Sequence, residues 1–316
     1  MKVLIHGRRP IADGICEFDL RLPDGGPLPV FSAGSHVDVF LAGGIVRQYS
    51  LCNSPEERHR YVLAVLLDSN TRGGSKGMHA LNVGDPIDIG EPRNHFALDE
   101  TARHSILLAG GIGITPIKSM AHRLALLGAS FEVHYCAREP DRMAYGEELK
   151  LGHPAPQMMF YFDRDAPDRQ LDMRQVLGQR TPGTHLYVCG PQGFIDAVMQ
   201  TSVELGWPTE NVHREYFGAN PASQRAGDRP FQIRIASTGD VIDVAADITV
   251  VQALSRAGYA VPVSCEQGVC GTCLTRVLDG IPDHRDAYLT DDERVANDQF
   301  TPCCSRSNSS LLVLDI

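Results

Sequence analysis

The stretch Cys265-Glu-Gln-Gly-Val-Cys270-Gly-Thr-Cys273 places three cysteines at the spacing C-x4-C-x2-C. With a fourth, distant cysteine, this spacing is typical of the ligands of a plant-type [2Fe–2S] cluster. Gly268 and Gly271 let the loop come close to a cluster and turn backbone N–H groups toward its sulfurs. The alternatives are a zinc site or a disulfide set. Zinc sites usually pair their ligands as C-x2-C twice, whereas the first gap here is four residues.

A fourth cysteine is available near the C-terminus, where Cys303 and Cys304 are adjacent. If both lie on a β-strand, their side chains point to opposite faces, so only one thiolate can reach iron. This geometry does not decide which of the two it is.

The size and charge of the chain limit its function. A chain of 316 residues is long enough for two or three domains. Its net charge of −10 disfavours a nucleic-acid partner, because phosphate binding requires a basic face. Residues 229–316 contain seven Arg, no Lys and twelve Asp or Glu, a net charge of −5. This acidic segment either keeps the protein in solution or docks a complementary partner.

Residues 1–9 lack the long apolar stretch of a signal peptide. No run in the sequence approaches the ~20 apolar residues of a membrane span. The nine cysteines of such a chain are better explained as metal or redox residues than as disulfides. We therefore expect a cytoplasmic protein that does not bind a membrane.

The first part of the chain, residues 1 to 100, has short strands separated by glycine turns and little helical periodicity. This pattern predicts an antiparallel barrel. The predicted strands include 35–41, 61–67 and 86–90, with glycine pairs at 25–26, 43–44 and 73–74 between them.

Residues 101–219 alternate strands with helices joined by glycine-rich turns, which predicts a parallel α/β sheet. Predicted strands cover 105–109, 131–136 and 185–188, and predicted helices cover about 116–127 and about 194–205. Residues 220–229 have the polar composition of a linker. The last domain, 230–316, begins with predicted strands at 231–235 and 241–244, followed by a helix at about 251–257 and the cluster loop.

Two turns of the middle domain have the composition of a nucleotide site. Gly110-Gly111-Ile-Gly113-Ile-Thr115-Pro116 lies between a strand and a helix, where glycines let a pyrophosphate approach the helix N-terminus. This is not a G-x-G-x-x-G motif, and alone it is equally compatible with a tight turn. The second turn, Cys189-Gly190-Pro191, also follows a predicted strand, and the pair of turns favours nucleotide binding.

The first domain carries the segment Arg47-Gln-Tyr49-Ser50-Leu-Cys52-Asn53. Arg offers a fork for a phosphate, Tyr a flat face for an aromatic ring, and Ser a hydroxyl for a ring heteroatom. The segment Arg72-Gly73-Gly74-Ser75 is a candidate second phosphate nest. Taken separately, the two segments are equally compatible with an ordinary strand and a loop tip.

In this order, the motifs resemble those of the ferredoxin–NADP reductase superfamily. With the C-terminal cysteines, the chain resembles the phthalate dioxygenase reductase group, which includes vanillate O-demethylase reductases. Members are FMN- and [2Fe–2S]-containing partners of Rieske oxygenases. The resemblance covers nearly the whole chain and implies a flavin-binding barrel, an NAD-binding domain and a β-grasp ferredoxin domain. It rests also on Ala33-Gly-Ser-His-Val-Asp-Val, Glu215-Tyr-Phe-Gly, Asp283-His-Arg-Asp and the terminal Leu-Val-Leu-Asp-Ile.

The resemblance also implies roles for individual residues. FMN would be held by Arg47, Tyr49 and Ser50, with Arg72, Gly73, Gly74 and Ser75 at its phosphate and Phe217 near its ring. The nicotinamide nucleotide would be lined by Gly111, Gly113, Thr115, Pro116, Cys189 and Gly190. The cluster ligands would be Cys265, Cys270, Cys273 and Cys303. The family pattern Cys-x-Ser-Arg favours Cys303, although this chain has Cys304 where the family usually has an aliphatic residue.

Nucleotide preference depends on the residues that follow the second strand of the middle domain. Glu139 can accept hydrogen bonds from ribose hydroxyls and repel a 2′-phosphate, whereas Arg138 and Arg142 could bind one. The resemblance implies NADH.

The expected function is electron transfer from NADH through FMN and the [2Fe–2S] cluster to a Rieske-type terminal oxygenase. Such a reaction needs no acid–base catalyst, so Ser50, Thr115 and Cys189 are expected to position the cofactors. Two alternatives are a reductase that serves a cytochrome P450 or another acceptor and a non-enzymatic redox sensor. Nothing in the sequence requires more than a monomer.

Overall fold

The computed structural model describes residues 1–68, 73–151, 158–165, 169–217 and 227–316. Arg72 and most of the predicted linker, residues 220–226, lie outside these ranges. They are therefore not discussed structurally.

An antiparallel sheet forms the first part of the chain. Its strands are β1 (Lys2–Ala12), β2 (Ile15–Arg21), β3 (His36–Leu41), β4 (Ile45–Ser50), β5 (Tyr61–Leu66) and β6 (Pro86–Ile89). They follow the order β4-β3-β6-β1-β2-β5, and the two end strands, β4 and β5, also contact each other. The predicted barrel is therefore present, and the helix α1 (Gly74–Ala80) packs against β5.

A parallel sheet follows. Its strands are β7 (His104–Gly110), β8 (Phe131–Ala137), β9 (Met158–Phe162), β10 (Thr184–Cys189) and β11 (Val212–Glu215), and its helices are α2 (Ile114–Leu127), α3 (Gly146–Leu151), α4 (Met173–Gly178) and α5 (Gln192–Glu204). The strand order is β11-β10-β7-β8-β9, and every pairing is parallel. Residues Ser105–Gly110 of β7 are all buried, as expected for a central strand covered on both faces.

The two sheets share a hydrophobic core. Ala33, Cys52 and Phe96 from the first part of the chain belong to one buried cluster with Leu107 and Met120 from the second. Residues Met1–Glu215 accordingly form one compact unit. The barrel has a further core of its own around Phe18, Leu63 and Val39.

The second compact unit is Tyr216–Ile316. Its strands are β12 (Phe231–Ile235), β13 (Val241–Val244), β14 (Thr275–Asp279), β15 (Pro282–Asp283), β16 (Gln299–Phe300), β17 (Arg306–Ser307) and β18 (Leu311–Leu314), and its helices are α6 (Val250–Arg256) and α7 (Asp291–Ala296). The main sheet has the order β13-β12-β18-β14-β16, and β15 pairs with β17. Both helices begin with a capping box, at Thr249 and Thr290.

The end of the predicted linker is an integral part of the second unit. Arg285 donates hydrogen bonds to both carboxylate oxygens of Asp228, at 2.9 and 2.7 Å, and all but 7% of the Asp228 side chain is buried. Arg306 lies 3.8 Å from the same carboxylate. The polar composition of the segment predicts a linker. At its end, the carboxylate of Asp228 forms a buried ion pair within the second unit.

No helix within the described ranges is both long enough and apolar enough to cross a membrane.

We expect Asp228→Ala to lower the free energy of unfolding of the second unit by about 2–4 kcal/mol, because Arg285 and Arg306 would keep buried charges with fewer partners. Hydrogen exchange of peptides from the second unit measures this. The control is Asp315→Ala, which removes the exposed partner of Arg276 and should cost under about 1 kcal/mol. Equal losses in the two variants would show that the Asp228 pair is not structural.

Candidate functional site

The end of strand β4 meets the end of β11 at a buried polar contact. The Ser50 hydroxyl donates to Oε2 of Glu215 at 3.3 Å. Strand β11 pairs with β10 so that Glu215 lies beside Cys189, whose side chain is fully buried. The predicted residues Ser50 and Cys189 are therefore brought to the same carboxylate.

Glu215 is only partly buried as a whole residue, but protein atoms closely surround its carboxyl group. This desolvation raises the pKa of Glu215 to about 8, although the hydrogen bond from Ser50 acts in the opposite direction. Near pH 7 the carboxyl group mostly keeps its proton. Burial together with the nearby Glu215 also raises the pKa of the Cys189 thiol well above its usual range, so Cys189 stays a thiol.

The two predicted glycine turns contact each other through their backbones. A Cβ atom at Gly113 would lie 2.3 Å from the Cys189 carbonyl oxygen and 2.6 Å from the Gly190 nitrogen. A Cβ atom at Gly110 would lie 2.8 Å from Cδ of Pro191. Strands β7 and β10 are parallel neighbours, so both turns emerge at the carboxyl edge of the sheet, where ligands of open α/β sheets bind.

Gly111 has a positive φ of +54°, and a side chain there would meet no atom within 4 Å. The turn thus leaves open space on the side of Gly111 that a nucleotide could occupy. Thr115, in the first turn of α2, is buried and donates its hydroxyl to the Ile112 carbonyl oxygen at 3.0 Å. Its position indicates that it shapes the turn, with Pro116 buried beside it.

The predicted phosphate ligands also come together. A Cβ atom at Gly74 would lie 2.6 Å from Cγ of Arg47, so the arginine side chain runs directly over the start of α1. Gly73, at φ +93°, provides the left-handed turn before the helix. Ser75 accepts a hydrogen bond from the Asp68 N–H at 3.2 Å. These residues could hold a phosphate group.

The two predicted aromatic contacts to a flavin stay predictions. The Tyr49 ring packs against the barrel core, and this burial raises the pKa of its hydroxyl to about 12. Because side chains alternate along a strand, Tyr49 shares a face of β4 with Arg47, and Ser50 points to the other face. Phe217 belongs to the second unit, and 41% of its surface is exposed.

The carboxylate predicted to select NADH follows β8. The carboxylate of Glu139 forms a salt bridge with the guanidinium of Arg164, at an N···O distance of 2.7 Å. Arg142 forms a salt bridge with Asp13, at an N···O distance of 3.2 Å. Arg142 is thus engaged with the barrel.

The cysteines predicted to bind the cluster gather in the second unit, and all five are buried. The Cys303 thiol interacts with Cys265 and Cys273 of the loop and with the adjacent Cys304. Cys304 interacts with Cys303, Thr301 and Ser305, and its Sγ lies 3.3 Å from Oγ1 of Thr301. Cys303 and Cys304 lie in a turn, outside any strand, so alternation of side chains along a strand does not apply. The contacts instead favour Cys303 as the fourth ligand.

The cluster loop presents N–H groups to its sulfurs. Gln267 N–H donates to Cys265 Sγ at 3.3 Å, and Thr272 N–H donates to Cys270 Sγ at 3.4 Å. In the part of the chain that is described, no three His, Cys, Asp or Glu side chains are arranged for a single metal ion. The fit to a cluster rests on the sulfur donors and on the N–H groups aimed at them.

Both glycines of the loop are required by their surroundings. Gly268 and Gly271 have φ angles of +72° and +67°. A Cβ atom would lie 2.3 Å from Cys304 Sγ at Gly268, and 2.2 Å from the Tyr288 ring at Gly271. The loop can therefore follow this path only with glycine at both positions.

Comparisons with known proteins agree with this architecture. Residues 233–308 match the 2Fe-2S iron-sulfur cluster binding domain family, and residues 91–212 match the N-terminal domain of the dimethylamine monooxygenase subunit DmmA-like family. The chain is 51% identical to the vanillate O-demethylase oxidoreductase of Pseudomonas sp. (strain HR199 / DSM 7063), over 100% of both chains.

Several solved structures match all of this chain. Phthalate dioxygenase reductase, described as a modular structure for electron transfer from pyridine nucleotides to [2Fe-2S], is 39% identical with a TM-score of 0.79, and 98% of it is covered. The chain belongs to the phthalate dioxygenase reductase family. An intact type IV self-sufficient cytochrome P450 monooxygenase is 37% identical with a TM-score of 0.85, and 41% of that chain is covered.

Membership of the phthalate dioxygenase reductase family confirms the predicted fold and the oxidoreductase class. It also supports FMN, NADH and a [2Fe–2S] cluster as cofactors. The residue assignments stay predictions. Sequence reasoning did not include Glu215 among the site residues, because only the pairing of β11 with β10 brings it to Cys189 and Ser50.

We expect Glu215 to make the stability of the first unit fall as pH rises from about 5 to 8. In that window the unfolded carboxyl group is ionised while the folded one keeps its proton, which costs up to about 1.4 kcal/mol per pH unit. Glu215→Gln should remove this dependence. Urea unfolding followed by the fluorescence of Trp207, the single tryptophan, reports the first unit. The exposed Glu210→Gln is the control, and parallel pH profiles for all three proteins would rule out a buried, protonated Glu215.

Gly271→Ala should lower the iron and acid-labile sulfide content of the purified protein to below about half, because the new methyl group overlaps the Tyr288 ring at a strained φ. Gly258→Ala is the matched control. Gly258 has a φ of +87° but no atom near its Cβ position, so it tests the strain alone. Equal cluster contents in the two variants would mean that the close approach at Tyr288 is unimportant.

Proposed function

We propose that this protein is the NADH-dependent reductase component of an oxygenase system, and that its acceptor is a Rieske-type oxygenase. FMN would bind at Arg47, Ser50 and the Gly73–Ser75 segment, NADH at the two glycine turns, and the [2Fe–2S] cluster at Cys265, Cys270, Cys273 and Cys303. Relatives named as reductases of vanillate O-demethylase and phthalate dioxygenase support an oxygenase as the partner.

The residues of the first unit bind and orient. The backbone of the Gly111–Gly113 turn and the N-terminus of α2 offer N–H groups to a pyrophosphate. Ser50, held by the protonated Glu215, fixes a hydroxyl at the end of β4, and the neutral Cys189 adds a small apolar surface. When bound, FMN supplies the conversion of a two-electron hydride into single electrons, which is the chemistry that a one-electron cluster requires.

One observation carries the proposal: the buried cysteines of a cluster loop occur in a chain whose first unit packs two glycine turns together beside Glu215, the partner of Ser50. A sulfur site alone would suit many proteins. A nucleotide site alone would suit any dehydrogenase. Their presence in one chain supports a reductase that passes electrons onward.

A cytochrome P450 is the second candidate acceptor. It is favoured by the self-sufficient P450 monooxygenase whose structure matches all of this chain. The redox-sensor alternative has no such support. The predicted monomeric state and cytoplasmic location stay predictions.

We expect the purified protein to show flavin and iron–sulfur absorption bands that NADH bleaches under anaerobic conditions. Cys303→Ser should keep NADH–ferricyanide activity within about threefold of the unchanged protein. It should lose most transfer to cytochrome c, because ferricyanide accepts electrons from a flavin without the cluster. Cys304→Ser is the control and should retain both activities. If Cys304→Ser loses the cluster and Cys303→Ser keeps it, the ligand assignment is reversed.

Reconstitution separates the acceptors. NADH oxidation coupled to product formation is measured with a purified Rieske oxygenase of the vanillate or phthalate type, and with a P450 in parallel. We expect NADH oxidation to be coupled to product formation with the Rieske oxygenase. Coupling with the P450 alone would show that the acceptor is a P450 and not a Rieske oxygenase. Negligible NADH oxidation with every acceptor would contradict both reductase hypotheses and favour the redox-sensor hypothesis.

A further inference from the structure

Helix α2 carries a charged side chain inside the core of the first unit. Lys118 lies one turn after Thr115, and only 5% of the residue is exposed. Its helical neighbours Ile114, Ile117 and Met120 belong to the hydrophobic cluster shared by the two sheets. A buried ammonium group is costly unless it is paired and hydrogen-bonded.

Lys118 contacts groups from two other segments, the start of α3 and the segment after β4. Its Nζ lies 2.9 Å from Oε1 of Glu148 on α3 and 4.5 Å from the centroid of the Tyr145 ring. It also donates to the carbonyl oxygen of Cys52 at 3.4 Å. The ammonium group therefore joins the parallel sheet's helices to the segment that follows β4 in the barrel.

A second bond reinforces this connection. The hydroxyl of Ser119 donates to the carbonyl oxygen of Asn53 at 3.0 Å. Consecutive residues of α2 thus hold consecutive carbonyl groups of the barrel segment. The Cys52 thiol in turn lies 3.2 Å from the Tyr145 hydroxyl.

Glu148, the carboxylate partner of Lys118, also contacts the barrel. Arg9 of β1 lies 3.5 Å from Glu148 and 2.6 Å from Glu17 of β2. Tyr145 has a φ of +61°, a left-handed conformation that a tyrosine keeps only where its surroundings impose it. Such imposed conformations concentrate at functional sites.

Stability alone does not account for a lysine at position 118. The Lys118–Glu148 pair is only half buried, with 45% of the Glu148 side chain exposed, and a pair of this kind contributes little to stability. A methionine would extend the surrounding apolar cluster. An apolar residue could not donate a hydrogen bond to the Cys52 carbonyl oxygen, as Lys118 does.

We propose that Lys118, together with Ser119, is a positioning residue that fixes the Cys52–Asn53 segment to helix α2. This inference rests on the proposed function. Ser50, on the flavin side, lies two residues before that segment, and Thr115, on the nicotinamide side, lies one helical turn before Lys118. The two bonds therefore set the distance between the proposed hydride donor and acceptor sites. A misplacement of about 1 Å can slow a transfer by about a hundredfold.

The test uses the full-length holoprotein with Lys118→Met. Reduction of the flavin by NADH is followed in a single turnover by anaerobic stopped flow. We expect the limiting rate to fall by about tenfold or more, with the Kd for NADH changed by less than about threefold, since the glycine turns are untouched. The melting temperature should not fall by more than a few degrees, because Glu148 is 45% exposed and keeps Arg9 as a partner, so no buried charge is left unpaired.

A second measurement does not depend on flavin chemistry. The amides of Leu51 and Cys52 donate to the Ser35 and Val62 carbonyl oxygens, and their hydrogen exchange reports how firmly the segment is held. We expect faster exchange in Lys118→Met and, to a smaller degree, in Ser119→Ala. Ser119→Ala is a small change that keeps the assay available if Lys118→Met does not fold.

The matched control is Arg123→Met. Arg123 lies on the same helix and joins the same region of the barrel through Glu56 at 2.8 Å, but it does so at the surface. It should leave the rate and the exchange unchanged. Unchanged exchange at Leu51 and Cys52 in both Lys118→Met and Ser119→Ala would overturn the proposal, as would an unchanged limiting rate. If NADH does not reduce the unchanged protein, the proposed function fails, and the exchange data still decide whether Lys118 holds the segment.

Discussion

The contact between two backbone turns is the constraint on which the first unit depends. Gly113 meets the Cys189 carbonyl and Gly190 so closely that a methyl group has no room. The contact requires β7 and β10 to be parallel neighbours, and their pairing brings both turns to one edge of the sheet. It also fixes the start of α2, and α2 in turn fixes the barrel through Lys118 and Ser119. The nucleotide site and the junction of the sheets therefore have a common geometric origin.

The second unit uses the same principle for a different ligand. Its loop turns through left-handed conformations at Glu266, Gly268 and Gly271, which lets N–H groups from a short segment converge on the sulfurs. The neighbours that enclose the loop, Tyr288 and Cys304, occupy the space that side chains would need. In both units, the absence of side chains at a few positions lets the backbone itself form the binding surface.

The sequence predicted what depends on local pattern. The strands at 231–235 and 241–244 have the predicted bounds, and α2 begins two residues before the prediction because the Gly113 turn leads directly into it. The sequence does not predict features that depend on contacts between segments far apart along the chain. Glu215, Lys118 and Asp228 have ionisable side chains, which ordinarily lie at the surface. The charged group of each is buried because a partner far away in sequence, Ser50, Glu148 or Arg285, comes to it only in the folded chain.

Two of these buried groups, which contact Ser50 and Cys52 of the same barrel segment, show opposite solutions to desolvation. The Glu215 carboxyl group receives a hydrogen bond from the Ser50 hydroxyl and mostly keeps its proton near pH 7. Lys118 meets a carboxylate, a carbonyl oxygen and an aromatic face, which together compensate for the burial of an ammonium group. Ser50 to Asn53 is thus held from one side by a neutral acid and from the other by a paired cation, which restricts its movement more than apolar packing alone would.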